Sequence, residues 1–141
     1  MLSDYCKQWI RYAQNDVRLA AQEMERAVNP RHRAYEAILY HCQQAAEKML
    51  KAYLIHNGVQ PWGHDLDALR TKCVDFDSGF NNSRITKHCI FLLSLAAARY
   101  PDFTAVLVYA SSAERALNSA KRIYDFVSVK LGQGEVYFKK Q

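Results

Sequence analysis

The chain has 141 residues, half of them hydrophobic, and a formal net charge of +5 at pH 7. That length and apolar content suffice for one compact core and exclude a disordered chain, and no run approaches the roughly 20 continuous apolar residues of a membrane span. The mild basic excess permits an anionic partner without demanding one.

The amino-terminal "MLSDYCKQWI" has neither a basic leader before an apolar stretch nor a small-residue cleavage pattern, so a cytoplasmic setting is expected. Cys6, Cys42, Cys73 and Cys89 are scattered without a CxxC pair, which suits reduced packing residues rather than disulfides or zinc ligands. From Ser3, the residues Cys6, Ile10, Ala13, Val17, Ala20, Met24 and Ala27 recur at three and four, predicting a first helix to about Val28. Asn29 and Pro30 are suited to cap and open a second helix, which runs to about Asn57 with Gly58 as its left-handed stop. "VQPWG" reads as a turn and "HDLDAL" as the start of a short third helix with Asp65 near its amino end; "DFDSGFNNS" reads as a loop. Asn82 or Ser83 caps a fourth helix through "CIFLLSLAAA" to about Arg99, where Pro101 ends it. "FTAVLVYA" is compatible with either extended or helical backbone. Ser111 with Glu114 matches a capping box for a last helix carrying Ala113, Ala116, Ala120, Ile123 and Val127, with Gly132 as its stop. Residues 133–141 read as a flexible tail after a single domain over 1–132.

No period-two strand pattern stands out elsewhere, and long helices with short connections pack best as antiparallel neighbours. The expected fold is therefore all-α: an antiparallel up-and-down four-helix bundle with a short extra helix.

The second helix carries the most information. Ile38, Cys42, Ala45, Met49 and Tyr53 form one apolar stripe, and Leu39, Ala46, Leu50 and Leu54 form another beside it. More than half of the circumference is apolar, so this helix is expected at the centre, touching several neighbours or a second subunit. The remaining face holds Tyr40, Gln44, Glu47 and Lys51, flanked by His41 and Lys48. Gln43 falls inside the apolar arc and needs a hydrogen-bond partner. The polar face reads either as a solvated strip with Glu47 and Lys51 as an i,i+4 pair, or as a binding surface.

Four features carry a family resemblance: Trp9, Ala13, Asp16, Val17 and Ala20 in the first helix; "YHCQQAAEKMLKAYLI" from Tyr40 to Ile55; "GHDLDAL" from Gly63 to Leu69; and "ARYPDF" from Ala98 to Phe103. In this order and spacing, over nearly the whole chain, they resemble the HEPN domain family, small prokaryotic helical domains often encoded beside minimal nucleotidyltransferases. The resemblance implies a four-to-five-helix bundle that forms a homodimer and binds nucleotides or RNA, or serves in a toxin–antitoxin pair. It makes His41, Gln44, Lys48, Lys51, His64, Arg99 and Tyr100 candidate ligand-binding residues. Arginines and lysines would hold phosphates and Tyr100 could stack on a base. Arg99 and Tyr100 read equally as a structural corner before Pro101.

Some HEPN members share an arginine, a polar residue, and a histidine after four to six intervening positions, and cut RNA without metal. A histidine moves a proton near neutral pH while an arginine holds the phosphate charge. Here Arg26 and His32 have the spacing, but Asn29 and Pro30 break the segment between them. Arg84 and His88 in "SRITKH" share a helical face with only three residues between them, and Ile85 stands where the polar residue belongs. They are the candidate catalytic pair, and the short spacing favours a non-catalytic binding module over a ribonuclease. There is no Gly-rich phosphate loop, no HExxH, no GxSxG and no nucleotidyltransferase signature, so the chain is not itself the transferase. The five histidines lack ligand spacing, and neither a metal nor a cofactor is expected. A purely structural helical dimer, joined through the apolar arcs of the second and fourth helices, is the remaining reading.

Overall fold

A computed structural model describes residues 1–26, 35–95 and 110–139. Among these residues five helices follow in order: α1 (Asp4–Arg26), α2 (Tyr35–His56), α3 (Leu66–Val74), α4 (Ser83–Ser94) and α5 (Ala110–Lys130), with a 3-10 turn at Ser78–Asn81 before α4. Among the described residues there is no strand, and no helix is long and apolar enough to cross a membrane.

The helix ends follow local chemistry. Ser3 opens α1, its hydroxyl accepting from the Cys6 N–H at 3.1 Å. The Asp65 carboxylate accepts from Ala68 N–H at the start of α3, and the Asn82 side chain accepts from Arg84 and Ile85 N–H at the start of α4. At the carboxyl ends of α2 and α5, Gly58 (φ 79°) and Gly132 (φ 77°) take the left-handed conformation. The next residues reach back, Val59 N–H to Leu54 O and Gln133 N–H to Ser128 O, which satisfies carbonyls the helix leaves open.

Helix α2 lies at the heart of the fold and packs against α1, α3, α4 and α5. Ile38, Leu39, Cys42, Ala45, Ala46, Met49, Leu50, Ala52 and Leu54 are fully buried on it. Burying one such leucine is worth about 1.5–3 kcal/mol, so this one helix anchors much of the core. Gln43 has found half of its partnership: Nε2 donates to Leu92 O at 2.7 Å, tying α2 to α4, while the buried Oε1 has no partner among the described residues.

Three local expectations are corrected. The stretch "DFDSGFNNS" is not an open loop, because Phe80 in the 3-10 turn is fully buried, with ring centroids 4.5 Å from Tyr53 and 5.1 Å from Phe126. Helix α4 stops at Ser94, short of Arg99. There the Ser94 hydroxyl donates to Phe91 O at 2.6 Å, and Leu95 N–H bonds Leu92 O in a tightened last turn. Ser111 is not a helix cap, because Ala110 is already helical. The Val28 end, the Asn29–Pro30 start, His32, Arg99, Tyr100, Pro101 and all of "FTAVLVYA" but its last residue, Ala110, lie outside the described residues.

Candidate functional site

Much of the polar face of α2 is covered by α1, with Glu47 and Lys51 buried and Tyr40 left exposed. Asp16, which sits on the otherwise apolar face of α1 and is only 6% exposed, meets two α2 side chains one heptad apart. His41 Nδ1 donates to Asp16 Oδ1 at 2.8 Å, and Lys48 Nζ donates to Oδ2 at 2.5 Å. Next to Lys48 in sequence, Glu47 (7% exposed) accepts from Lys51 Nζ at 3.2 Å and from His64 Nδ1 at 2.9 Å. Since a carboxylate only accepts, both imidazoles carry their hydrogen on Nδ1 here. Lys51 is buried with its ammonium 5.9 Å from the centre of the Trp9 ring, and Lys48 lies 6.0 Å from that of Tyr12.

The solvated-strip reading is therefore corrected. Glu47 and Lys51 do form the expected i,i+4 pair, but inside the α1–α2 seam, because Trp9 and the loop bearing His64 close over them. His41, Lys48, Lys51 and His64 are brought together as two carboxylate-centred clusters. Gln44 is half-buried on the same face.

Arg84 and His88 are placed elsewhere. They line a cleft of about 400 Å³ between the start of α4, α5 and the carboxyl-terminal segment, together with Arg122, Asp125, Phe126, Glu135 and Phe138. His88 is half-buried, and its Nδ1 lies 2.8 Å from the buried Ser119 Oγ of α5. Burial holds the His88 pKa below the ordinary histidine value, and the Arg122 and Arg115 guanidiniums add to the effect, so the imidazole is neutral near physiological pH. The Arg122 guanidinium lies 3.4 Å from the centre of the Phe138 ring, and Arg115 lies 4.0 Å from that of Phe91.

Residues 134–138 fold back as a strap along α5. Asp125, 4% exposed, accepts the backbone N–H groups of Val136, Tyr137 and Phe138 at 2.8–3.1 Å. The Ser128 hydroxyl donates to Gly134 O at 2.7 Å. The oxygens of Asp125 are thus hydrogen-bonded by donors from the strap, while Glu135 stays exposed at the rim of the cleft. Sequence reasoning missed Ser119, Arg122, Asp125 and Phe138. The signal was present: Ser119, Arg122 and Asp125 recur at three along α5 and interrupt its apolar stripe with a polar strip.

Among the described residues, no three His, Cys, Asp or Glu side chains gather as ligands for a metal ion. All four cysteines are free and buried.

Comparison with known proteins bears on this architecture as a whole. Among solved structures, an archaeal HEPN homologue, ST0689, superposes with a TM-score of 0.71 at 22% identity, covering 89% of this chain and 97% of its own. The protein TT1696 from Thermus thermophilus superposes with a TM-score of 0.75 at 23% identity, covering 91% of this chain and 99% of its own. At that identity the likeness speaks to the fold alone. No curated protein matches. The family model described as the HEPN domain matches residues 6–131, a span from the first turn of α1 to the residue after α5, and so takes in the central α2, the α1–α2 seam and the α4–α5 cleft together. By that match, the chain belongs to the HEPN domain family.

Proposed function

We propose that this HEPN domain is a non-catalytic binding module for a phosphate-bearing ligand, a nucleotide or RNA, taken in the α4–α5 cleft. In keeping with the family, it would act as a homodimer beside a minimal nucleotidyltransferase in a toxin–antitoxin type of system. The observation that carries the reading is the contrast between two sets of cations. Those of α2, Lys48 and Lys51, are paired with Asp16 and Glu47 in the α1–α2 seam, whereas Arg84 and Arg122 are exposed beside one open cleft and have no ion-pair partner among the described residues. Guanidinium groups bind phosphate oxygens in a forked geometry, and Phe126 and Phe138 offer ring faces to a base. The ligand-binding role is accordingly assigned to Arg84, His88 and Arg122; His41, Lys48, Lys51 and His64 hold the scaffold.

Calorimetric titration with a panel of nucleotides and a short single-stranded RNA tests this. Binding that weakens in Arg84→Ala and Arg122→Ala but persists in Lys51→Met is the expected result, and absence of heat with every ligand refutes it. A second reading, a metal-independent ribonuclease acting through Arg84 and His88, is favoured by one observation. The imidazole is neutral and oriented by Ser119, the state a general base requires. Incubation with RNA in chelator separates the two: cleavage that disappears in His88→Ala establishes the enzyme, and intact RNA leaves the binding module. Sedimentation tests the homodimer.

A further inference from the structure

A second groove lies on the other side of the strap, between α1 and α5, with a volume of about 490 Å³. Arg11, Gln14, Asn15 and Arg18 line it from α1, Lys121 from α5 and Tyr137 from the strap. Arg11 and Arg18 stand seven residues apart, on one face of α1, and both are exposed; Val17 and Ala21 complete the lining. Three cations and two side-chain amides thus meet without a carboxylate in the lining. Among the described residues, none of the three cations is engaged in an ion pair.

The groove and the cleft share one wall. Lys121 and Arg122 are consecutive on α5 and diverge by about 100° around the helix. The consecutive aromatics Tyr137 and Phe138 follow them, with Lys121 5.8 Å from the centre of the Tyr137 ring and Arg122 3.4 Å from that of Phe138. The strap therefore presents one cation–aromatic pair to each side. Burial, with Tyr124 and Asp125 nearby, pushes the Tyr137 phenol up to about 12, so it stays a neutral ring and a hydrogen-bond donor at physiological pH.

We infer that the α1–α5 groove is a second polyanion site, which takes the phosphodiester backbone of a single-stranded RNA continuing from the α4–α5 cleft. Cations that track a backbone, joined by an aromatic face and adaptable amides, are the chemistry that recognises an unpaired strand with little sequence preference. This inference rests on the cleft being a phosphate site, and its test keeps the two apart.

Anisotropy of a labelled oligouridylate dodecamer is followed from low to moderate salt, with AMP titrated in parallel. Because Arg11 and Arg18 are exposed and alanine favours helix, Arg11→Ala/Arg18→Ala folds as the wild type does, which circular dichroism verifies. The double variant is expected to weaken dodecamer binding by about tenfold and to reduce the salt slope by about 1.4, two phosphates at about 0.7 each, with AMP binding unchanged. A dodecamer bound as tightly as by the wild type, with the same slope, overturns the groove; if Arg122→Ala still weakens both ligands, the cleft stands without it. Conversely, loss in the groove variant with Arg122→Ala inert overturns the cleft and leaves the groove. Equal affinity for a polyglutamate of the same length overturns the assignment to RNA.

Discussion

Replacing Asp16 by asparagine tests the claim that the cations of α2 serve the fold. The substitution keeps the shape of the side chain and removes its charge, placing an amide where Lys48 and His41 now donate at 2.5 and 2.8 Å. Two hydrogen bonds to a charged group, at about 1.5–3 kcal/mol each, set a ceiling of about 3–6 kcal/mol. The loss falls well below that ceiling, because the Lys48 and His41 side chains are 23% and 24% exposed and turn partly to water once Asp16 no longer holds them. The expected destabilisation is about 2 kcal/mol, or about 4–8 °C in Tm for a chain of this size. Urea unfolding at neutral pH measures it, and a cycle with Lys48→Met isolates the pair, for which a coupling of about 1 kcal/mol is expected. Lys48→Met by itself should leave nucleotide and RNA binding untouched. A midpoint for Asp16→Asn indistinguishable from the wild type would refute the reasoning, as would a binding defect in Lys48→Met larger than its loss of stability.

Other outcomes follow from single contacts. Asp125→Ala removes the acceptor for three strap N–H groups, so chymotrypsin is expected to cut at Tyr137 and Phe138 in the variant while sparing the wild type, with about 2 kcal/mol lost in stability. Burial pushes the thiols of Cys42, Cys73 and Cys89 up to about 12 and raises that of Cys6, so iodoacetamide should label none of the four in the native protein and all of them in urea. His88 titrates lower in the folded protein than in the unfolded chain, so the unfolded state binds the proton first as pH falls. Its contribution to stability is complete above the ordinary histidine range and declines on acidification toward the lowered value. His88→Gln should therefore show a shallower loss of urea midpoint than the wild type between pH 7.5 and 5.5.

What the sequence made legible was whatever a few neighbouring residues decide. Gly58 and Gly132 stop their helices because only a residue without Cβ takes a left-handed turn cheaply, and Asp65 and Asn82 cap theirs because a short acceptor reaches the next free N–H groups. Burial of the two α2 stripes was legible for the same reason, since periodicity is local. The α1–α2 seam was not. Asp16 lies three residues after Ala13 and four before Ala20, on the apolar face of α1, which already marks it as a buried carboxylate in need of donors. His41 and Lys48 are those donors, but they lie 25 and 32 residues away, and nothing in either helix alone says that the two faces meet. Phe80 was hidden similarly: its surroundings "DSG" and "NN" are turn formers, and only Tyr53 and Phe126, from two other helices, make it core.

A cation is available to a ligand only where the fold has not already given it a counter-ion, and this separates faces that composition alone treats alike. On α2 a bound phosphate would have to displace Asp16 or Glu47, carboxylates less than a tenth exposed, and strand each of them without its donors, a loss of several kcal/mol before any gain. On the faces of α1, α4 and α5 that border the strap, a phosphate meeting Arg11, Arg18, Arg84 or Arg122 breaks no ion pair among the described residues, although in the α4–α5 cleft it shares the wall with Asp125 and Glu135. The strap itself adds no cation there within residues 134–138; it turns the cations already present on α5 into cation–aromatic pairs and fixes where each one stands. Asp125 lines the α4–α5 cleft but not the α1–α5 groove, and through the three strap N–H groups it holds it fixes Tyr137 and Phe138 beside Lys121 and Arg122.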